Sequence, residues 1–291
     1  MIVALPEALT RARRNGAALP GFSCYDAETA AGVLRAAAGR PVVLLIPARL
    51  LELPGGDLVA AALCAMSERA GSPVCVQLDH AHDLEAVRTG IDCGVGAVMA
   101  DGSHLPLELN VAFVRAVRAL AAPHGVAVEA AVGAVEGDED VAQEAEPGPL
   151  ADPDEAAALT RDVAVDCLSV AIGNVHGLYQ SRPALNLPRL RELAAAVEVP
   201  LVLHGGSGLS PNATRAAVAA GVAKVNYNTE IRQAYLRRTG EQLPDARVGS
   251  RLLDLHREQT RAVAAVAGQK LAILAADRRC RPPVSAAEAG R

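Results

Sequence analysis

Short apolar, β-branched runs alternate along the chain with longer segments in which Ala, Leu and Arg recur at helical spacing. The runs predict strands at residues 21–24, 41–46, 74–78, 97–99, 126–129, 167–172, 200–204 and 224–226. The segments between them predict helices at 28–38, 58–70, 84–93, 107–122, 153–163, 187–197, 211–220 and 230–238, so that each strand has its helix. Asp83, Asp152-Pro153 and Ser210-Pro211 read as helix starts, the prolines falling in the first turn. Near-continuous apolar runs such as Pro-Leu-Val-Leu and Cys-Leu-Ser-Val-Ala-Ile suit strands covered on both faces of a parallel sheet. Eight such units within roughly 240 residues match a (β/α)8 TIM barrel, typically about 250 residues long. An open doubly wound sheet is the competing arrangement.

Two segments break the repeat. Residues 136–149, EGDEDVAQEAEPGP, are acidic and too long for an ordinary strand-to-helix turn. They read as a mobile functional loop or a solvated acidic surface loop, and charge alone favours the second. After residue 249 comes one more helix, predicted at 252–266, and then a Pro- and Ala-rich stretch, 281–291, expected to fray. The expected organisation is a single domain over 1–291, with a barrel at 20–240, a C-terminal helical extension at 250–280 and a tail at 281–291.

Composition narrows the function. With 291 residues, 51% of them hydrophobic and 21% charged, the chain can bury a large core, which excludes a disordered or fibrous protein. A formal charge of -5 leaves no basic face for a run of phosphates, and 2% aromatics leave no stacking platform, so nucleic acid is not an expected partner. Cys24, Cys64, Cys75, Cys93, Cys167 and Cys280 are scattered without a CxxC pair and read as reduced core thiols, pointing to a cytoplasmic location. Charges, Pro or Gly interrupt every apolar stretch before about 20 residues, and the first residues lack the pattern of a signal peptide, so no membrane association is expected.

In a barrel of this class, chemistry sits at the C-terminal ends of strands. There the sequence places Asp79-His80, Asp101, Asn174-Val-His176, His204 and Asn226. Three imidazoles from three strands with an open fourth position make a catalytic zinc arrangement, although a single strand-end His is more often a hydrogen-bonded structural residue. His82, His104, His124 and His256 fall in turns or helices and read as surface, capping or packing residues. Asp79 and His80 can share the rim only if their strand ends and turns there, because successive strand residues point to opposite faces. An acid or base beside the metal and an N-cap are equally good roles for Asp79 taken alone. The glycines of His204-Gly-Gly-Ser-Gly, followed at the next strand by Asn226-Tyr-Asn-Thr229 and a helix, suit close approach to an anion.

These segments carry a resemblance. LDHAHDLEAVRTGIDCGVGAVMADGSHLPLELN (78–110), VAVEAAVGAVEGDED (126–140), VDCLSVAIGNVHGLYQSRPALNLPRL (165–190) and LVLHGGSGLSPNATRAAVAAGVAKVNYNTEI (201–231) resemble the class II, zinc-dependent fructose- and tagatose-bisphosphate aldolases. The likeness runs through residues 20–240, and HGGSG and DGSHLP are its most specific parts. It implies a (β/α)8 barrel in which His80, His176 and His204 hold one catalytic zinc and dihydroxyacetone phosphate is the partner that becomes an enediolate. It also implies Glu139 as the proton-abstracting base, Asp79 as the acid at the aldehyde oxygen and Asn226 as a hydrogen-bond donor to the enediolate. Gly177, Gly205, Gly206, Ser207, Asn228 and Thr229 match phosphate-binding positions, and Asp101 matches a carboxylate of a secondary metal position. A monovalent cation beside the substrate, and a homodimer or homotetramer, belong to the same expectation.

The departures cluster. The family's Glu-Ala-Glu-Leu-Gly reads Glu129-Ala-Ala-Val-Gly133, so its second glutamate is Ala131; Ser23 replaces an Asn and Pro47 a Ser on the aldehyde side. The expected activity is therefore a lyase with an intact dihydroxyacetone phosphate half and an altered aldehyde acceptor. The competing readings are a metal-dependent hydrolase on the same rim and a non-catalytic aldolase-like partner subunit.

Overall fold

The computed structural model describes residues 2–181 and 183–275. The expected tail at 281–291, the last residues of the expected extension and Cys280 lie outside the described residues. The chain opens with a helix that the hydrophobic pattern did not predict, α1 (Leu5–Arg14). Then come β1 (Leu19–Ser23), α2 (Ala27–Ala37), β2 (Val42–Pro47), α3 (Gly56–Glu68), β3 (Val74–Ala81), α4 (Leu84–Asp92), β4 (Ala97–Ala100) and α5 (Leu107–Ala121). The second half contains β5 (Ala127–Val132), β6 (Glu144–Ala145), α6 (Pro153–Asp162), β7 (Cys167–Val170), β8 (Leu178–Tyr179), α7 (Leu187–Ala196), β9 (Leu201–Leu203), α8 (Pro211–Ala219), β10 (Val222–Tyr227), α9 (Thr229–Arg247) and α10 (Leu252–Leu274). Each predicted strand and helix is present, with ends displaced. Asp83, Asp152 and Ser210 cap their helices by accepting from backbone N–H groups two or three residues on. None of the described helices is long and apolar enough to cross a membrane.

Eight strands close in the order β1-β10-β9-β7-β5-β4-β3-β2, every pair parallel. The closed barrel excludes the open doubly wound sheet. Two-residue strands β6 and β8 pair outside it and join the acidic loop to the loop after β7.

The barrel interior changes character along its axis. At the N-terminal end Leu5, Ala8 and Leu9 of α1 pack on Leu19, Val43, Cys75, Ala97, Ala127, Cys167, Val202 and Ala223, drawn from all eight strands. Small inward side chains leave room, and α1 fills it as a plug. Alternate positions further along are polar: Cys75 gives way to Gln77 and Asp79 on β3, and Ala127 to Glu129 on β5, all buried. Of the cysteines described, Cys24, Cys64, Cys75 and Cys167 are buried and Cys93 is partly exposed, all free thiols.

Outside the barrel, α9 runs well past the predicted end near residue 238 and α10 past residue 266. Gly240 costs the helix only about 1 kcal/mol, and packing against α10 outweighs it: Gln259 of α10 donates to Thr239 of α9 at 3.0 Å. On its other side α10 lies on this chain's own α2, where Gly32 admits Val263. A Cβ at position 32 would meet that side chain at 2.6 Å.

Candidate active site

Three imidazoles converge at the C-terminal mouth. His80 has φ = +52°, and the β3–β4 pairing slips between Leu78 and Ala81. A bulge re-aims side chains, at a cost of roughly 1–2 kcal/mol for a left-handed residue other than glycine. The kink turns Asp79 and His80 toward the same cavity, as a shared rim requires. His204 follows β9 directly with no exposed surface. His176 sits in the loop after β7, where Asn174 Oδ1 accepts from Ile172 N (2.7 Å) and Asn174 Nδ2 donates to the His204 carbonyl (3.1 Å). Ring centroids are 4.8 Å apart for His80 and His204, 4.9 Å for His80 and His176, and 5.8 Å for His176 and His204.

Carboxylates behind two of the rings determine which nitrogens face inward. Asp101 Oδ2 lies 2.6 Å from His80 Nδ1, and Glu129 Oε1 lies 2.9 Å from His204 Nε2. A ring that donates outward keeps its lone pair on the other nitrogen, the usual support for a metal-binding histidine. Burial opposes charge on Asp101, but the His80 and Ser103 hydrogen bonds hold its carboxyl far below the usual range. Burial also pushes His176 down to about 3, leaving it neutral; its buried Nε2 makes no hydrogen bond. The inward atoms, His80 Nε2 and His204 Nδ1, are 3.0 Å apart. Tetrahedral zinc with nitrogen ligands at about 2.0–2.1 Å spaces them by about 3.3 Å, so this donor set fits such an ion.

Glu139 completes the cluster. Its Oε1 lies 3.3 Å from His80 Nε2, 3.3 Å from His176 Nε2 and 3.9 Å from His204 Nδ1, and ligand atoms of all four residues fall within 4.8 Å of one another. Residues 138–140 of the acidic loop are thus half-buried against the site, while most of the rest of the loop is exposed to solvent. His176 N donates to Glu136 O at 2.7 Å and Asn228 Nδ2 to Glu139 O at 2.9 Å, while Arg232 Nη1 donates to Asp140 O. Gly137, at φ = +99°, is required here because a Cβ would meet the His176 carbonyl oxygen at 2.2 Å.

Asp79 is fully buried and does not cap a helix; Asp83 does that. Burial above all, with the Glu139 charge adding to it, pushes the Asp79 carboxyl up to about 6 against the pull of His80, and its Oδ2 has no partner. Asn226 lies beside His204, its amide packed over Gly21 of β1, where a Cβ would come 2.6 Å from Asn226 Oδ1.

Two spaces flank the imidazoles. A narrow recess is lined by Gly177, Gly205, Ser207, Asn226, Asn228 and Thr229, with Glu139 and His176 at its edge. It opens at the N-terminus of α9, whose cap residue Asn228 makes no side-chain cap bond. Gly206 stands apart from the recess lining, and its N–H donates to the Asn226 carbonyl at 2.9 Å. On the other side lies a cavity of about 890 Å³ bordered by Asp79, His80, Arg49, Pro47 and Ala131. Ser23 is buried at the end of β1 and does not border it. Asp101 reaches the imidazole cluster only through His80.

Sequence reasoning missed the support beneath the site. Lys224 Nζ, fully buried, lies 2.6 Å from Glu129 Oε2 and donates to Gln77 Oε1 at 2.8 Å; Gln77 Nε2 reaches Glu129 Oε2 at 3.1 Å and Asp79 Oδ1 at 3.3 Å. Burial raises the cost of charge on Glu129, yet Lys224 and His204 hold it well below the usual carboxylate range. The available signal was a Lys, a Glu and a Gln inside three otherwise apolar strands. Tyr25 and Arg49 were missed as well: Tyr25 Oη donates to Asn228 Oδ1 (2.9 Å) and Asp140 Oδ1 (3.2 Å), and Arg49 Nη1 donates to Asp138 and Asp140 (3.3 Å each).

Known proteins share this architecture. The chain is 36% identical over 246 residues to a 6-phospho-5-dehydro-2-deoxy-D-gluconate aldolase of Halalkalibacterium halodurans, covering 80% of this chain and 82% of that protein. It is 36% identical over 240 residues to the Bacillus subtilis protein of the same name, covering 80% and 81%. In structure it is similar to the YdjI aldolase of Escherichia coli K12, with a TM-score of 0.84, 29% identity and coverage of 97% of this chain and 100% of that one. Residues 3–279 match the family described as fructose-bisphosphate aldolase class-II, and with the closed barrel and these relatives the chain belongs to that family of lyases.

Proposed function

We propose that this aldolase joins or cleaves dihydroxyacetone phosphate and a short aldehyde that carries no phosphate. The observation that carries the reading is the meeting of His80, His176, His204 and Glu139 ligand atoms within 4.8 Å, between a narrow recess and a wide cavity. His80, His176 and His204 would hold zinc, which when bound supplies Lewis-acid stabilisation of charge developing on a ketone oxygen. Gly177, Gly205, Ser207, Asn228 and Thr229 bind the phosphate in the recess, using backbone N–H groups and the N-terminus of α9. Glu139 takes the proton from the carbon beside the ketone. Asp79, a carboxyl able to carry a proton near neutral pH, delivers one to the aldehyde oxygen, and Asn226 donates to the developing oxyanion.

The acceptor side supports a partner without phosphate. Among the described residues the cavity wall carries one Arg, Arg49, and no Lys, and Arg49 is already held by Asp138 and Asp140. Glu52, Asp83 and Glu85 border the same space, so a dianionic second phosphate would meet more repulsion there than the single charge of a carboxylate. The relatives' substrate name agrees: 6-phospho-5-dehydro-2-deoxy-D-gluconate, broken between C3 and C4, the carbons β and α to its ketone, yields a three-carbon ketose phosphate and a three-carbon aldehyde acid.

Two measurements test the proposal on the zinc-loaded protein. Dihydroxyacetone phosphate alone should exchange a carbon-bound proton with deuterated water, and Glu139→Ala should slow this by about 10²–10⁴-fold. No exchange by the wild type overturns the donor assignment. In a cleavage panel, 6-phospho-5-dehydro-2-deoxy-D-gluconate should be cleaved far faster than fructose 1,6-bisphosphate; equal rates overturn the acceptor assignment.

A further inference from the structure

Among the buried residues of α10, Lys270 is the only one that carries a charge. Its ammonium lies 2.5 Å from Glu230 Oε2 and 5.0 Å from the centroid of the fully buried Tyr227 ring. Glu230 stands in the first turn of α9, directly after the recess residues Asn228 and Thr229. Its Oε1 accepts from Gly208 N at 3.3 Å, and its N–H donates to Ser207 Oγ at 3.4 Å. Given a phosphate in the recess, as proposed above, we infer that Lys270 is a positioning residue for it, acting through Glu230 to fix the 205–208 turn and cancel a carboxylate charge beside the recess.

Glu230 has two effects that conflict. A carboxylate is a stronger acceptor than an amide for the Gly208 N–H, which keeps the turn in place. Yet its charge lies at the positive end of α9, where it competes with a phosphate for the helix dipole and repels it directly. Lys270 resolves the conflict by neutralising Oε2 while Oε1 keeps its hydrogen bond. The ammonium is itself held by the face of Tyr227. That ring also backs the turn, since a Cβ on Gly206 would come 3.0 Å from its Cε1. The C-terminal helix thereby reaches the phosphate seat without lining it, because neither Lys270 nor Glu230 borders the recess. An ion pair that only fastened α10 to α9 would support stability and leave ligand binding unchanged.

Experiments on the zinc-loaded full chain separate these roles. Deuterium exchange of dihydroxyacetone phosphate gives KM and the maximal rate, and calorimetry gives Kd for glycerol 3-phosphate, an unreactive phosphate monoester. Lys270→Met should raise both KM and Kd about tenfold with the maximal rate held, and Lys270→Arg should restore them. Glu230→Gln/Lys270→Met, which removes both charges and keeps an acceptor for Gly208 N, should bind within about threefold of wild type. Unchanged KM and Kd in Lys270→Met overturn the proposal, whatever urea unfolding shows for its stability. A double variant as weak as Lys270→Met does so too, since the loss then follows packing instead of charge. If wild type shows no exchange while glycerol 3-phosphate follows the expected pattern, the donor assignment falls and the role of Lys270 stands. If wild type binds no glycerol 3-phosphate, the recess is not a phosphate seat and the role of Lys270 falls with it.

Discussion

At Lys224 an ammonium with no exposed surface holds Glu129, and Glu129 holds the outer nitrogen of His204. Removing one partner of a buried ion pair leaves the other charge without compensation, at a cost of about 3–5 kcal/mol. Lys224→Met should therefore lower stability by that amount in urea unfolding. Glu129→Gln/Lys224→Met, which removes both charges, should regain most of the loss yet bind zinc about 10–100-fold more weakly, measured by chelator competition. Gly21 offers a second test: Gly21→Ala pushes a methyl group against the Asn226 amide, and kcat should fall with little change in KM for the ketose phosphate. Asp79, His80, His176 and His204 were legible because each ends or follows an apolar run, where barrel chemistry is expected. Lys224 and Gln77 were not, since their meaning depends on the register of β3, β5 and β10, strands far apart in sequence.

The helix α1 has a clear job among the elements. Leu5 and Leu9 are fully buried against the first residues of the strands, so Leu9→Ala should destabilise the fold by about 2–5 kcal/mol. Thermal unfolding should register the loss while kcat/KM of the folded protein holds, because α1 lies at the end of the barrel opposite the chemistry. Eight strands and their helices could be read from the chain because apolar runs and helical spacing recur in step. α1 escaped because its ten residues include five that are charged or Thr, and its few apolar positions make sense only once the barrel floor exists. The two-residue strands β6 and β8 are too short for any pattern, and with them went the packing of the acidic loop; Glu139 was found through the resemblance alone.

For the whole molecule, ligand binding and folding are coupled. An ion that binds only the native state stabilises it by about 2.7 kcal/mol at one hundred times its dissociation constant. Zinc should raise Tm, a chelator should reverse the rise, and His176→Ala/His204→Ala should lose it. The plug at the barrel floor has a consequence for traffic. With that end sealed, reactants and products share the mouth at the other end, and in the proposed binding mode the phosphate of the ketose would be gripped in the narrow recess while the aldehyde would occupy the wider cavity. Departure should be sequential, aldehyde first. In steady-state cleavage the departing ketose phosphate should then compete with substrate, and the aldehyde should inhibit without competing.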